Sequence, residues 1–534
     1  MSRSKNKKNQ EILDGYKKPK DEDYDFERIK LYFLNQDHSN YHQVISDRTC
    51  RDVDFEELFM TVDRTCSRIG QQYLYSTLRT IPKDSKRCDH FERIIQYFES
   101  NTKAKDKTIL ALHQLTEHGA YFLQRLIYGK NLTKPNWFWI IPFLSGLSMG
   151  LLILIFFYPV YPLFILILSV NFVIHFWNKN NLLIYSNTLP QLITMKNVAK
   201  GLTEHVEILE DRQQFKRSYE AINEIAKSAI LLSWESRASN ELGQIGEYFF
   251  ELLKATFLLE PILIFRIINT LNKKKADINV LYHAIAKVDV AMSIASFRDS
   301  LTFCCRPIIA EHDGLLAKEL FHPLIQDPIR NSINLEKSES VLISGSNMSG
   351  KTTFIRTIGI NAILAQTINT ACAKEFMIPK IKIHSAIRIA DDLFNETSYY
   401  FEEVKVIKEM IDECETGSQN LFLLDELFKG TNTIERVASG KAVLSFLNQN
   451  ENIVFASTHD LELTDYLTET FLFFHFEEVV DKGGLSFDFK LKSGKWINTN
   501  AIRILELNGY PNDITEEARK LANGFRKVES IDKK

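Results

Sequence analysis

The order of apolar and polar positions divides the chain into an uncharged middle, helical flanks and a C-terminal part of short alternating elements. From Pro135 to Asn178 there is no Asp, Glu, Lys or Arg. A membrane span needs about twenty predominantly apolar residues. Trp137 to Tyr158 supplies one span, and Tyr161 to Trp177 supplies a second, near the lower length limit. Pro159-Val160-Tyr161-Pro162 reads as the tight turn between them. Trp137, Trp139 and Trp177 stand at the outer ends, where aromatic belts sit. Lys130, Lys134 and Lys179 flank the pair on one side, so the positive-inside rule puts both flanks, and both termini, in the cytoplasm of a two-span protein of the cell membrane. The alternatives are a re-entrant hairpin and a buried helical hairpin in a soluble protein.

On either side the spacing is helical. In residues 25–135, Phe55-Glu56-Glu57-Leu58-Phe59 and Tyr73-Leu74-Tyr75-Ser76-Thr77-Leu78 place apolar residues three and four apart, and Ile81-Pro82 ends one such helix. Residues 179–312 return to this pattern. Phe257-Leu258-Leu259 and Ile262-Leu263-Ile264-Phe265 are apolar, but Glu260, Pro261 and Arg266 interrupt them, which predicts a core helix rather than a third span. Residues 1–24, rich in lysine (Lys5, Lys7, Lys8, Lys17, Lys18, Lys20), predict a disordered basic arm with no secretory signal.

From residue 313 to 527 short apolar strands alternate with helices, an α/β signature. Val341–Ser344, Leu421–Leu424 and Ile453–Ser457 are the candidate strands. Phe471–Phe476 and Leu485–Leu491 suggest later antiparallel ones. Ile514 to Phe525 is a closing helix with Glu516 and Glu517 in its first turn, and residues 528–534 are a tail. A chain of 534 residues is long enough for several domains. Its net charge of −3 gives no support to a globally basic nucleic-acid binder. The seven cysteines are scattered without a C-x-x-C pair, so neither a disulfide frame nor a zinc site is indicated.

The chemistry concentrates in Gly345-Ser346-Asn347-Met348-Ser349-Gly350-Lys351-Thr352, which fits G-x-x-x-x-G-K-[ST] between an apolar strand and a helix. In that context the backbone N–H groups and the helix N-terminus cradle the phosphates of a nucleotide. Lys351 reaches the β- and γ-phosphates and Thr352 holds Mg²⁺. Leu421-Phe422-Leu423-Leu424-Asp425-Glu426 is a buried strand that delivers two acids to its C-terminal edge. Asp425 is placed to support Mg²⁺ and Glu426 to polarise water as a base. Ile453 to His459 is a second such strand, with His459 placed to sense a γ-phosphate.

These motifs resemble the ATPase core of the MutS mismatch-repair family. The phosphate loop through Thr353, the run Asp425-Glu426-Leu427-Phe428-Lys429-Gly430-Thr431-Asn432-Thr433 and the pair Thr458-His459 are similar to that family's loop, acidic strand and switch. Ser398-Tyr399-Tyr400-Phe401-Glu402-Glu403 is similar to its dimer-crossing segment, which implies that Ser398 faces the partner's γ-phosphate. Phe321-His322-Pro323-Leu324, Asn500 to Pro511 and Asp63 to Gly70 carry further likeness. The chain departs from the family in three ways. The stretch before Asp63 is too short for the mismatch-reading and connector domains, and an apolar hairpin stands where levers run to a DNA clamp. The Arg of the usual Gly-Arg-Gly-Thr turn is Lys429 here.

The resemblance implies a P-loop ATPase domain (MutS- or ABC-like) C-terminal to a mainly helical lever domain. That lever domain comprises residues 25–135 and 179–312 and carries the membrane hairpin of 136–178. It implies ATP and Mg²⁺ as cofactors, a homodimer with composite sites, and DNA as partner, while the departures above put direct mismatch recognition in doubt. Lys351, Glu426 and His459 are its catalytic residues. The alternatives are a nucleotide-switched membrane protein with no DNA role and an ABC-type ATPase.

Overall fold

The computed structural model describes residues 2–129, 136–223, 251–310, 314–346, 348–388, 399–481, 484–496 and 509–532, with isolated residues between them. The chain forms two compact units. One comprises Met1–Asn40, Val62–Arg79 and Lys83–Ser300; the other comprises Tyr41–Thr61, Thr80–Pro82 and Leu301–Lys534.

The first unit is helical among its described residues. Its axis is the helix Lys275–Ser300, packed against Arg68–Arg79 and Lys86–Ser100. Ile278, Leu281, Tyr282 and Ile285 recur at helical spacing and are buried. This helix is long and apolar enough to cross a bilayer. However, 72% of its apolar stretch is covered by protein, against 28% for Asn136–Leu154, so the former is a core helix. The N-terminal arm, expected to be disordered, is instead a helix at Ser2–Gly15. The following residues are anchored: Ser296 Oγ donates to Tyr16 O at 2.8 Å, Lys20 meets the buried Asp63 at 2.8 Å, and Arg68 meets Glu22 at 2.8 Å. A lysine-rich composition hides such specific long-range partners.

The apolar stretch forms the helix Ile140–Leu154, a turn, and the helix Tyr161–Leu202. The second helix runs on past Trp177 for 42 residues in all, through Pro190.

The second unit is built on a six-stranded sheet. Its strands are β1 Ser340–Gly345, β2 Lys382–Ala386, β3 Asn420–Asp425, β4 Ile453–Ser457, β5 Phe471–Phe476 and β6 Lys492–Ser493. Their spatial order is β6-β5-β1-β4-β3-β2. β1, β2, β3, β4 and β5 are parallel to their neighbours, and only β6 is antiparallel. Phe471–Phe476 therefore corrects the antiparallel expectation. It lies beside β1 in parallel, with Phe476 opposite Gly345.

β1 and β4 are buried along their whole length, and β3 as far as Leu424. This is the continuous apolar pattern of a sheet covered on both faces. Helix α1, Lys351–Ile368, is almost wholly buried against the sheet. A four-stranded sheet adjoins (Ile308–Ala310, Glu375–Pro379, Leu315–Leu320, Asn331–Leu335).

The spacing in residues 25–135 predicts helices throughout, but Tyr41–Val44 is a strand paired with Thr80–Pro82. This stretch closes the open edge of β2. Gln43 brackets Ile383 by donating to its carbonyl at 2.7 Å and accepting from its N–H at 2.8 Å. Asp52 accepts from Ser385 Oγ at 2.6 Å and from the N–H groups of Ile387 and Arg388 at 3.0 and 2.9 Å. An edge strand left open invites pairing with another chain, and here its polar groups are taken.

Candidate nucleotide-binding site

The register of three neighbouring strands creates the site. Ser457 lies opposite Ile343 on one side and Asp425 on the other. The ends of β1, β3 and β4 therefore reach one level, at the carboxyl edge where open parallel sheets take ligands.

Gly345 ends β1 at φ 144°, and a Cβ there would lie 2.7 Å from the Phe476 carbonyl oxygen. Gly350 precedes α1 at φ 109°. Both positions need glycine. The chain thus turns sharply and aims α1's first N–H groups into the loop. Ser346 Oγ and Ser349 Oγ are buried there without a hydrogen-bond partner. Unsatisfied buried hydroxyls are costly, and a phosphate oxygen is the acceptor that this geometry suits.

Lys351 is buried, with its Nζ donating to the Gly345 and Ser346 carbonyls at 2.8 and 2.9 Å. Burial lowers its pKa, against the pull of Glu426 and Asp425, which raises it. Thr352 Oγ1 donates to Asp425 Oδ2 at 2.8 Å, and Ser457 Oγ donates to the other oxygen of Asp425. A hydroxyl and a carboxylate held this close form the oxygen pair that a small hard cation such as Mg²⁺ uses. Among the described residues no group of three or more His, Cys, Asp or Glu forms a metal site on protein ligands alone. This fits Mg²⁺, which keeps waters and substrate phosphates among its ligands.

Glu426 follows directly at φ 54°, a strained conformation for a residue with a side chain. The turn aims its carboxylate at an imidazole and an ammonium group: Oε1 is 2.7 Å from His459 Nε2 and Oε2 is 3.1 Å from Lys429 Nζ. Partial burial acts to raise the Glu426 pKa, but hydrogen bonds and charge from His459 and Lys429 outweigh it and hold the pKa at about 2. A pKa lowered from 4.5 means that this group's contribution to stability is present above that value and is lost as pH falls toward 2. His459 Nε2 also lies 3.5 Å from Lys351 Nζ. One carboxylate, one imidazole and two ammonium groups therefore share a single locus.

The turn after Glu426 is held from beneath. The buried Glu403, on helix α2 (Tyr399–Cys414), accepts the Phe428 N–H, and burial raises its pKa. Asn432 caps helix α3 (Thr433–Leu447) by accepting from the Glu435 N–H at 3.0 Å. Arg436 grips Asp460 with two bonds at 2.7 and 2.6 Å, which fixes the segment that carries His459.

The expected residues Lys351, Thr352, Asp425, Glu426 and His459 thus converge. Gly345, Ser346, Met348, Ser349, Gly350 and Thr353 line the loop and the start of α1, with the Met348 side chain exposed. Asn347 and Ser398 lie outside the described residues. Sequence reasoning gave no role to Ser457, Lys429 and Glu403, although all three lie in or beside the quoted motifs.

It also missed a cleft of about 540 Å³ beside Gly350 and Thr353, lined by Ile325, Pro328, Ile329, Phe354, Phe476, Phe487 and Phe489. Phe487 and Phe489 stack at 5.8 Å. The cleft draws on three distant segments, so no local pattern announces it. A second cavity, of about 640 Å³, lies by the covered edge of β2. It is lined by paired charges such as Arg48–Glu409 and Lys382–Glu413 and by no residue of the phosphate loop.

Residues 341–526 match the model of the family MutS domain V. Curated relatives include proteins named DNA mismatch repair protein MutS. That of Listeria innocua is 30% identical over 265 residues, 48% of this chain and 30% of the relative. That of Lactobacillus delbrueckii subsp. bulgaricus is 28% identical over 270 residues, 47% of this chain and 31% of the relative. That of Natronomonas pharaonis is 25% identical over 252 residues, 46% of this chain and 29% of the relative. In each case the match spans less than a third of the relative's length.

Proposed function

We propose, from the match of residues 341–526 to MutS domain V and the similarity to MutS proteins, that this chain is a MutS-family, membrane-anchored ATPase that binds and hydrolyses MgATP. The observation that carries this reading is the convergence of Lys351, the Thr352–Asp425 pair and the Glu426–His459 pair at adjoining strand ends. Lys351 Nζ turns from its own loop carbonyls to the β- and γ-phosphate oxygens. Thr352 and Asp425 hold Mg²⁺, which draws charge from the phosphates when bound. Glu426 orients water and accepts its proton, and His459 contacts the γ-phosphate side. The aromatic cleft beside Gly350 takes the adenine, with Phe487 and Phe489 offering ring faces to the base.

ATP bridges two protomers in this proposal, with Ser398 completing the partner's site. The hairpin of residues 137–177 anchors the protein in the cell membrane with both flanks cytoplasmic. Support comes from the uncharged run and from the exposure of Trp139, Phe143, Phe156, Phe157, Val173 and Trp177, which water would penalise. DNA is the partner that family membership favours. The hairpin itself favours a second reading, a nucleotide-driven switch at the membrane that ignores DNA.

The deciding experiment measures ATP turnover by the full chain in membrane vesicles, with and without duplex and branched DNA, over a salt series. MgATP turnover that rises with DNA and loses that rise steeply with salt supports the first reading. Turnover indifferent to DNA selects the second. No Mg²⁺-dependent turnover under any condition refutes both.

Lys429 provides a finer check. Replacing it with Ala removes the ammonium that, with His459, holds the Glu426 carboxyl down, so the carboxyl titrates at higher pH. The acid limb of the pH–rate profile is expected to move upward in Lys429→Ala and to return in Lys429→Arg. An unmoved limb would show that Lys429 does not tune the acid.

A further inference from the structure

Residues 248–249 and 251–259, beside the apolar hairpin, carry exposed apolar side chains, whereas the helix that follows buries Phe265, Ile267, Ile268 and Leu271. Tyr248, Phe249, Leu252 and Leu259 are exposed. Polar groups link the segment to the hairpin: Lys254, with its side chain 13% exposed, pairs with Glu251 at 2.9 Å, and Glu251, 40% exposed, meets the buried His175 of the hairpin at 3.3 Å. Asn171, also on the hairpin and fully buried, donates to Ser148 Oγ at 2.8 Å and to the Thr256 carbonyl at 2.7 Å.

These pairs fix a direction. Residue 251 is level with His175 and residue 256 with Asn171, so this segment climbs toward the hairpin tip as the helix Tyr161–Leu202 descends from it. The climb ends at Leu258, buried at φ 47°. The helix Leu259–Lys273 then returns, placing Phe265 against Phe138 near the hairpin base at 5.2 Å.

We propose that residues 251–273 form a broken, re-entrant helical hairpin that enters the bilayer beside the apolar pair, with lipid acyl chains as the partner of its exposed apolar residues. This rests on the membrane reading of residues 137–177 and adds a third inserted element to it. Non-helical backbone is tolerated at membrane depth only where protein satisfies it, and an unsatisfied carbonyl there costs several kcal/mol. Asn171 supplies that satisfaction at the break. From Trp177 to Asn171 is six residues, about 9 Å of helix, which sets how deep the pin lies. Glu260, in the first turn of the returning helix, is offset by the positive end of that helix's dipole. A core helix in water has no use for an outer face made of Tyr248, Phe249, Leu252 and Leu259.

The test uses the full chain in open membrane sheets, with single cysteines introduced as Leu166→Cys, Leu252→Cys, Leu259→Cys and, as an aqueous reference, Arg212→Cys. Reaction with a charged maleimide is read peptide by peptide by mass spectrometry. Leu166→Cys, Leu252→Cys and Leu259→Cys are each expected to react at least about tenfold more slowly than Arg212→Cys, and to recover in detergent. Leu252 and Leu259 are exposed on the protein, so packing cannot supply that protection. Fast reaction at positions 252 and 259 with position 166 still protected overturns the re-entrant hairpin and leaves the anchor standing. Fast reaction at all three overturns both. Adding Asn171→Ala is expected to open Leu259→Cys to the reagent while Leu166→Cys stays closed. No change there refutes the pinning role of Asn171.

Discussion

Glu426→Gln is expected to slow ATP turnover by about 10²–10⁴-fold while nucleotide binding persists, the range for removing a positioned general base. The amide keeps the shape of the carboxyl and can still accept a hydrogen bond from His459, so the strained turn at φ 54° has no new reason to refold. What the amide lacks is charge. It neither pulls a proton from water nor neutralises Lys429, 3.1 Å away. ATP should therefore remain bound, and any ATP-bridged dimer should accumulate. The checks are single-turnover hydrolysis, equilibrium binding of a fluorescent ATP analogue, and molecular mass in ATP by light scattering. Normal hydrolysis by this variant would remove Glu426 from the base role.

A pKa near 2 makes Glu426 a poor base while His459 and Lys429 both hold it. Efficient general bases titrate near the working pH. The Lys429 ammonium and the His459 imidazole are also natural partners for a γ-phosphate. A nucleotide that draws them toward itself lowers the hold on the carboxylate and raises its basicity as the water arrives. On the proposed function, the same geometry would link phosphate contact by His459 to activation of the base.

The parts of this site that were legible are those where sequence and geometry are local. Strands β1, β3 and β4 are short apolar runs ending in polar residues, and being covered on both faces they show no alternation to confuse the pattern. The phosphate loop announces itself because two glycines are demanded by backbone angles that other residues resist. The illegible parts are made by residues far apart in sequence. Gln43 and Asp52 close the edge of β2 across more than three hundred positions, and a strand at Tyr41–Val44 is invisible to helical spacing. The parallel placement of β5 depends on which neighbour it meets and not on its own residues.

Lys351→Ala is expected to weaken ATP binding by about 2–5 kcal/mol, the range for truncating one partner of a buried charge pair. At 1.4 kcal/mol per decade this is roughly 30- to several-thousand-fold in Kd, with turnover falling below detection. The lysine is buried, and burial already depresses its pKa, so it holds its charge at a cost that a polyphosphate would offset. Its partners are backbone carbonyls of its own loop, 2.8 and 2.9 Å away, which bind an ammonium more weakly than phosphate oxygens do. The fold itself should survive. Lys351 is the first residue of α1, and the core face of that helix is made by residues beyond it such as Ile355, Ile358 and Ile363. Isothermal titration with ATP and with ADP separates two contributions. Loss of affinity for both assigns Lys351 to the β-phosphate, whereas loss for ATP alone assigns it to the γ-phosphate. Unchanged affinity for both, in a variant that unfolds at the parental temperature, would mean that this loop does not hold the nucleotide.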